Sequence, residues 1–191
     1  MKKIYIVLTH TGTLLSRLIR SYTKDEFSHV SISLDSQLNE MYSFGRLNPY
    51  NPFWGGFVHE GIEFGTFKRF KLTRTKIYSL EIEDDKYQKI VGLINYIKNT
   101  KQLHKFNVIG LFAVGFHKRI EFKDSFYCAE FVKYVIETAG VKTNLPDMIK
   151  PEHFKKLENI KLLYEGKLKD YNIEKVNLLE KLVKPHMKEV C

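Results

Sequence analysis

The chain opens on a short apolar run, Lys3–Leu8 (KIYIVL), that reads as a buried strand. A Thr-Gly-Thr loop follows, and then Leu14–Tyr22 carries Leu14, Leu15, Leu18 and Ile19 at helical spacing, with Arg17 and Arg20 on the other side. The next segment, Ser28–Leu34, alternates strictly. Val30, Ile32 and Leu34 fall on one face and His29, Ser31 and Ser33 on the other, the pattern of a half-buried strand. Asp35–Asn39 reads as a turn, and Glu40–Phe44 as a second strand closing a hairpin. Two further strands are predicted at about Thr66–Lys71 and Lys76–Ile82.

The period then changes to helical. Asp84-Asp85 caps a helix to about Asn99 with Tyr87, Ile90, Val91, Ile94 and Ile97 along its apolar stripe. Phe106–Phe116 reads as helical in part. Ser125 or Asp124 is a suitable cap for a helix over Phe126–Ala139, stopped by Gly140. Pro151 starts a short helix, Leu162–Tyr164 a short strand, and Ile173–Met187 a terminal amphipathic helix. Strand, helix, a run of antiparallel strands and then helices is an α+β order, not a doubly wound one. With 191 residues the chain is read as one domain over 1–191, with a core to about 160 and a C-terminal helical extension over about 161–191.

Composition narrows the classes. Two cysteines, Cys128 and Cys191, make a disulfide framework an unfavourable reading and suggest a reducing compartment. The run Ile4–Leu8 is too short for a secretion signal, and no stretch nears the roughly 20 apolar residues of a membrane span. The expected location is therefore cytoplasmic. The formal charge of +9 comes from lysines mixed with glutamates, save for the stretch Lys68, Arg69, Lys71, Arg74 and Lys76, which lies on an alternating segment, so that some of these side chains are expected to share a solvent face. An anionic membrane surface is a partner compatible with that charge. Nucleic acid is not expected, because no helix-turn-helix, zinc-finger or RNP-like pattern occurs. The stretch 45–61, rich in Gly and Pro and carrying Tyr50, Phe53, Trp54 and Phe57, reads as a long loop, either a lid or wall for an acyl chain or one whose Trp54 and Phe57 plug the edge of the core.

Chemistry points to Cys128. A cysteine at the third position of a helix capped by Ser125 lies near unpaired N–H groups and the positive end of the dipole, which favour the thiolate. The same residue shares a helical face with Phe131, Val132 and Val135, so a plain core role is its alternative. His29, held on a rigid strand, is the candidate base. The other histidines, His10, His59, His104, His117, His153 and His186, show no metal-ligand spacing, and no metal or cofactor is expected.

Two segments carry a family resemblance: Phe27-Ser28-His29-Val30-Ser31-Ile32 at the head of a strand, and Phe126-Tyr127-Cys128-Ala129-Glu130-Phe131-Val132 about a hundred residues later. Together they resemble the circularly permuted, papain-like branch of the NlpC/P60 superfamily. That branch includes YiiX/YebB-like proteins and relatives of lecithin:retinol acyltransferase. In it the histidine strand precedes the cysteine helix, as here. The resemblance implies an antiparallel sheet or half-barrel against helices, with the nucleophile at a helix N-terminus. It implies a thiol hydrolase or acyltransferase, in which Cys128 attacks an amide or ester carbonyl of a peptide or lipid acyl substrate and His29 moves the proton. It also implies a polar residue on the following strand that orients the imidazole. Ser43 holds the matching position, and Glu40 is the nearest carboxylate. The N–H of Cys128 is a natural oxyanion donor. Tyr127 or the Thr9–Thr13 loop, with Thr11, would supply a second, and Trp54 would contact substrate. A papain-like domain that binds without catalysis is the alternative.

Overall fold

The computed structural model describes residues 1–13, 16, 17, 20, 21, 25–47, 54–115, 118, 120 and 122–178. It is an α+β protein built on a six-stranded antiparallel sheet packed against helices. The strands are β1 (Lys2–His10), β2 (His29–Ser33), β3 (Met41–Arg46), β4 (Gly55–Glu60), β5 (Arg74–Ile82) and β8 (Ile160–Lys167). Their order across the sheet is β4-β3-β2-β1-β5-β8. Two short strands, β6 (Lys105–Phe106) and β7 (Ser125–Phe126), pair in parallel apart from it.

The apolar run of β1 is explained by its place. It lies between β2 and β5, and both of its faces are covered. Ile4, Ile6 and Leu8 join Val30, Ile32, Tyr42 and Phe44 in the main core, while Tyr5 and Val7 join Met41, Ile77 and Phe67 in a second core on the other face. The helices α2 (Asp84–Asn99) and α4 (Cys128–Thr138) close the main core. Ile90, Ile94 and Ile97 of α2, and Phe131, Val132, Val135 and Ile136 of α4, are buried there, as their helical spacing predicts. Gly140, at a φ of 89°, ends α4 in the left-handed conformation that glycine adopts freely.

Several elements differ from expectation. The polar face of β2 is not solvated: Ser31 and Ser33 are fully buried, and their hydroxyls are satisfied by Glu60 and by the Asp35 carbonyl. The glycine-rich stretch is not all loop, because Gly55–Glu60 pairs with β3 as β4. The strand expected at Thr66–Lys71 is instead a short helix, α1 (Gly65–Arg69), entered through Gly65 at a φ of 62°. The basic residues therefore do not share one strand face: Lys68 and Arg69 lie on α1, and Arg74 and Lys76 on β5, where both pair with Glu26.

The helix expected within Phe106–Phe116 is α3, Val108–Gly115, capped by the Asn107 side chain, which accepts from the Gly110 N–H at 2.7 Å. Pro151–Lys156 is a 3₁₀ helix, and the strand around Leu162–Tyr164 extends to all of β8. Residues 16, 17, 20, 21 and 173–178 are helical, within the two further helices expected; the rest of the C-terminal helix, and Tyr50, Phe53 and Cys191, lie outside the described residues. Among the described residues, no helix is long and apolar enough to cross a membrane.

Candidate active site

Three chain segments far apart in sequence meet at one small cavity. Cys128, His29 and Glu60 line it, in a space of about 70 Å³, together with Thr11, Thr13, Arg46 and a wall that includes Phe44, Phe67 and Leu111.

Cys128 is the first residue of α4, not the third of a longer helix. Ser125, a good cap by residue type, is drawn instead into β7, and Tyr127 takes the cap position. Its N–H donates to the Glu130 carboxylate at 3.0 Å, three residues on, which fixes the helix start. The first intrahelical bond runs from the Phe131 N–H to the Tyr127 carbonyl. Cys128 therefore sits within the turn whose N–H groups have no partner inside the helix, at the positive end of the dipole. Its side chain is buried on the core face of α4 yet borders the cavity.

His29 is the first residue of β2 and pairs in register with Thr9 of β1. Its Nε2 lies 3.1 Å from both carboxylate oxygens of Glu60, the last residue of β4. The Ser31 hydroxyl donates to the same carboxylate, to Oε2, and so holds it in place. The imidazole is 20% exposed and the carboxylate 11%, so the pair is largely screened from water. With Nε2 engaged by Glu60, Nδ1 is the ring nitrogen left for the thiol. Burial alone would lower the imidazole pKa. The Glu60 charge, then the hydrogen bond with Cys128, outweigh it, and the pKa is raised to about 10. His29 is therefore an imidazolium at neutral pH, bonded to the Glu60 carboxylate and lining the same cavity as Cys128.

The third residue of this arrangement is not where the resemblance placed it. Ser43 is fully buried and donates to the Val30 carbonyl at 2.7 Å, so its hydroxyl is spent on the sheet. Glu40 accepts from the Tyr42 hydroxyl and plays no part at His29. Glu60 was missed because it follows Gly55-Gly56 in a stretch read as loop. Two signals could have found it: Phe57–Glu60 ends a strand that pairs in register with β3, and Glu60 is the one acidic residue between Gly45 and Gly61.

The expected substrate contacts divide. Thr11 lines the cavity, with its hydroxyl 3.2 Å from that of Thr13. Tyr127 does not supply the second oxyanion donor, since its N–H is committed to Glu130 and its hydroxyl donates to the Ile149 carbonyl at 2.9 Å. Trp54 is 63% exposed at the head of β4 and is not among the residues lining the cavity. Phe67, unflagged by sequence, is a wall instead, its ring 6.4 Å from that of His29.

The remaining described histidines have other partners: His10 at Ser28, His59 at the Asn39 carbonyl, His104 at Thr100 and His153 at the Lys150 N–H. Among the described residues no group of three or more His, Cys, Asp and Glu side chains could hold a metal ion. Compared with models of known protein families and with curated protein sequences, the chain matches none.

Proposed function

We propose that the protein is a cysteine hydrolase or acyltransferase that works through a Cys128 acyl-enzyme. The observation that carries this reading is the convergence of Cys128, at a helix start, with the His29–Glu60 pair in one cavity. The thiolate attacks an amide or ester carbonyl, and the developing oxyanion lies near the N–H groups that open α4. His29 gives its proton to the leaving amine or alcohol, whose departure leaves the thioester. The neutral imidazole then takes a proton from water or an acceptor amine, which attacks the thioester and releases Cys128. Glu60 fixes the ring orientation and stabilises the imidazolium without itself taking the proton, the role of the acid in other triads. A carboxylate in that role supports catalysis over a papain-like domain that only binds.

The order of histidine strand before cysteine helix, on an antiparallel sheet, supports a permuted papain-like fold of the NlpC/P60 type. The acyl group could belong to a lipid or a peptide. Exposed Leu72, flanked by Lys71 and close in sequence to Lys68 and Arg69, supports contact with an anionic membrane surface, and the cysteine usage supports a cytoplasmic site of action. Hydrolysis of a panel of acyl esters and peptide amides, run beside C128A and H29A, tests the reading. Turnover in the parent protein that falls at least 100-fold in both variants is expected. Equal turnover in C128A would overturn the nucleophile.

A further inference from the structure

Several strands end together beside the cavity. β1 finishes at His10 opposite Arg74, the first residue of β5, and β3 finishes at Arg46 opposite Gly55, the first residue of β4. β2 begins at the same end with His29, and Thr11, Ser28 and Arg46 from this end line the cavity of Cys128. Just past the last paired residues the chain exposes apolar side chains. The Leu47 N–H donates to the Trp54 carbonyl at 3.0 Å, one bond beyond β3 and β4, and both side chains are exposed. Leu72 is 72% exposed. It is carried on a turn closed by buried Thr73, whose N–H donates to the Phe70 carbonyl at 3.0 Å and whose hydroxyl donates to the same oxygen. Cations stand at this end as well. Arg17 and Arg20 lie one helical turn apart after the Thr11–Thr13 loop, both exposed, and Lys71 adjoins Leu72. No carboxylate among the described residues pairs with any of these three. Burial first, and then the charges of Arg20, Arg74 and Arg17, lower the His10 pKa, as expected of cations gathered at one place. At the opposite end of the sheet cations lie against carboxylates: the Met1 amino group on Asp84, Lys3 on Glu81 and Lys86 on Glu83.

We propose that this end of the molecule is a docking face for an anionic lipid bilayer, which turns the Cys128 cavity toward the lipid. Arg17, Arg20 and Lys71 meet the headgroup phosphates and carboxylates, while Leu47, Trp54 and Leu72 enter the interface. The membrane contact thereby grows from the single turn at Leu72 to a face with a defined orientation. That the acyl donor is a lipid of this bilayer rests on the reading of Cys128 as the acylated nucleophile; the docking itself does not. Unpaired cations beside exposed apolar side chains fit a surface that is anionic outside and apolar beneath. Tryptophan is at home at that depth, with its ring in the headgroup layer. A nucleic acid would satisfy the cations but offers its phosphates without an apolar layer for Leu47 and Leu72.

Trp54 is the one tryptophan of the chain, so its fluorescence reports on this face directly. The protein is sedimented with vesicles of phosphatidylcholine alone, or with about 30% phosphatidylserine added to supply the negative surface potential. It should pellet with the anionic vesicles and not the neutral ones, and high salt should release it. On binding, Trp54 emission should shift to the blue and be quenched by brominated acyl chains. These readouts use the parent protein and do not depend on how a variant folds. R17Q/R20Q should weaken binding about tenfold or more, from the loss of two cations near the surface. Equal binding to neutral vesicles, no binding to either, or pelleting without quenching of Trp54 overturns the docking face alone. Capture of single-stranded RNA in preference to anionic vesicles overturns it too. A Cys128 that iodoacetamide labels no faster than Cys191 overturns the nucleophile, and the lipid acyl donor with it, while the vesicle results still decide the face.

Discussion

Glu60 is the residue on which the character of His29 depends. Its carboxylate spans the ring Nε2 with both oxygens and, together with Cys128, outweighs the burial that would otherwise lower the imidazole pKa. E60Q keeps the shape and one acceptor but removes the charge. It should lower acyl-transfer activity by about 10²- to 10⁴-fold, the upper end being the cost of the same carboxylate-to-amide change in another triad. The upper pH limit of activity should also move down from near 10 toward the ordinary histidine value of 6.5. A pH–rate profile with an unmoved basic limb would mean that Glu60 does not set the His29 charge. S43A should instead act on stability alone, costing about 1 kcal/mol for a lost buried hydrogen bond in urea denaturation. At this scale the sequence was legible where a residue type is rare and placed on a regular element, as Cys128 and His29 are. It was not legible at Ser43, because hairpin register names the neighbour across one strand, and the carboxylate arrives from β4, one strand further on.

Element by element, α4 is what carries the proposed nucleophile, with Cys128 as its first residue. Its start is held in part by a local contact, the Glu130 carboxylate on the Tyr127 N–H. E130A should destabilise the protein by about 1 kcal/mol, the usual worth of a helix cap, and slow Cys128 alkylation as the first turn loosens. F131A should cost more, about 3–5 kcal/mol, because Phe131 is fully buried against Phe44 and Phe57. Chemical denaturation of both variants measures the difference; equal losses would contradict the division between cap and core. Helices α2 and α4 were readable because their apolar stripes face one core. The start of α4 was displaced by two residues from its expected place, because pairing of Ser125–Phe126 with Lys105–Phe106 outcompetes the local capping preference of Ser125. At Thr66–Lys71 the spacing of Phe67 and Phe70, three apart, suits a helix and not an alternating strand, and Gly65 at positive φ opens that helical turn.

On the scale of the whole molecule, the site is an assembly product. His29, Glu60 and Cys128 come from β2, β4 and α4, and only the completed sheet with its packed helix brings them together. Charge on His29 is therefore coupled to folding. Its folded pKa is raised to about 10 from the unfolded 6.5, so its contribution to stability is fully present below pH 6.5, shrinks as pH rises, and is gone above about pH 10. Thermal midpoints across that range should fall more steeply for the parent protein than for H29A; parallel curves would contradict the coupling. The fold class was legible from the order of periods along the chain, and the sheet order was not, since it rests on long-range pairings such as β1 with β5.

The central claim is a nucleophilic Cys128 held beside a protonated His29. The most direct measurement is the rate of iodoacetamide alkylation at pH 6.5, resolved by peptide mapping into Cys128 and Cys191, in the parent protein and in H29A. The account predicts that Cys128 reacts more than tenfold faster than Cys191 and that the excess disappears in H29A. A Cys128 that labels no faster than Cys191, or that keeps its rate without His29, would contradict it.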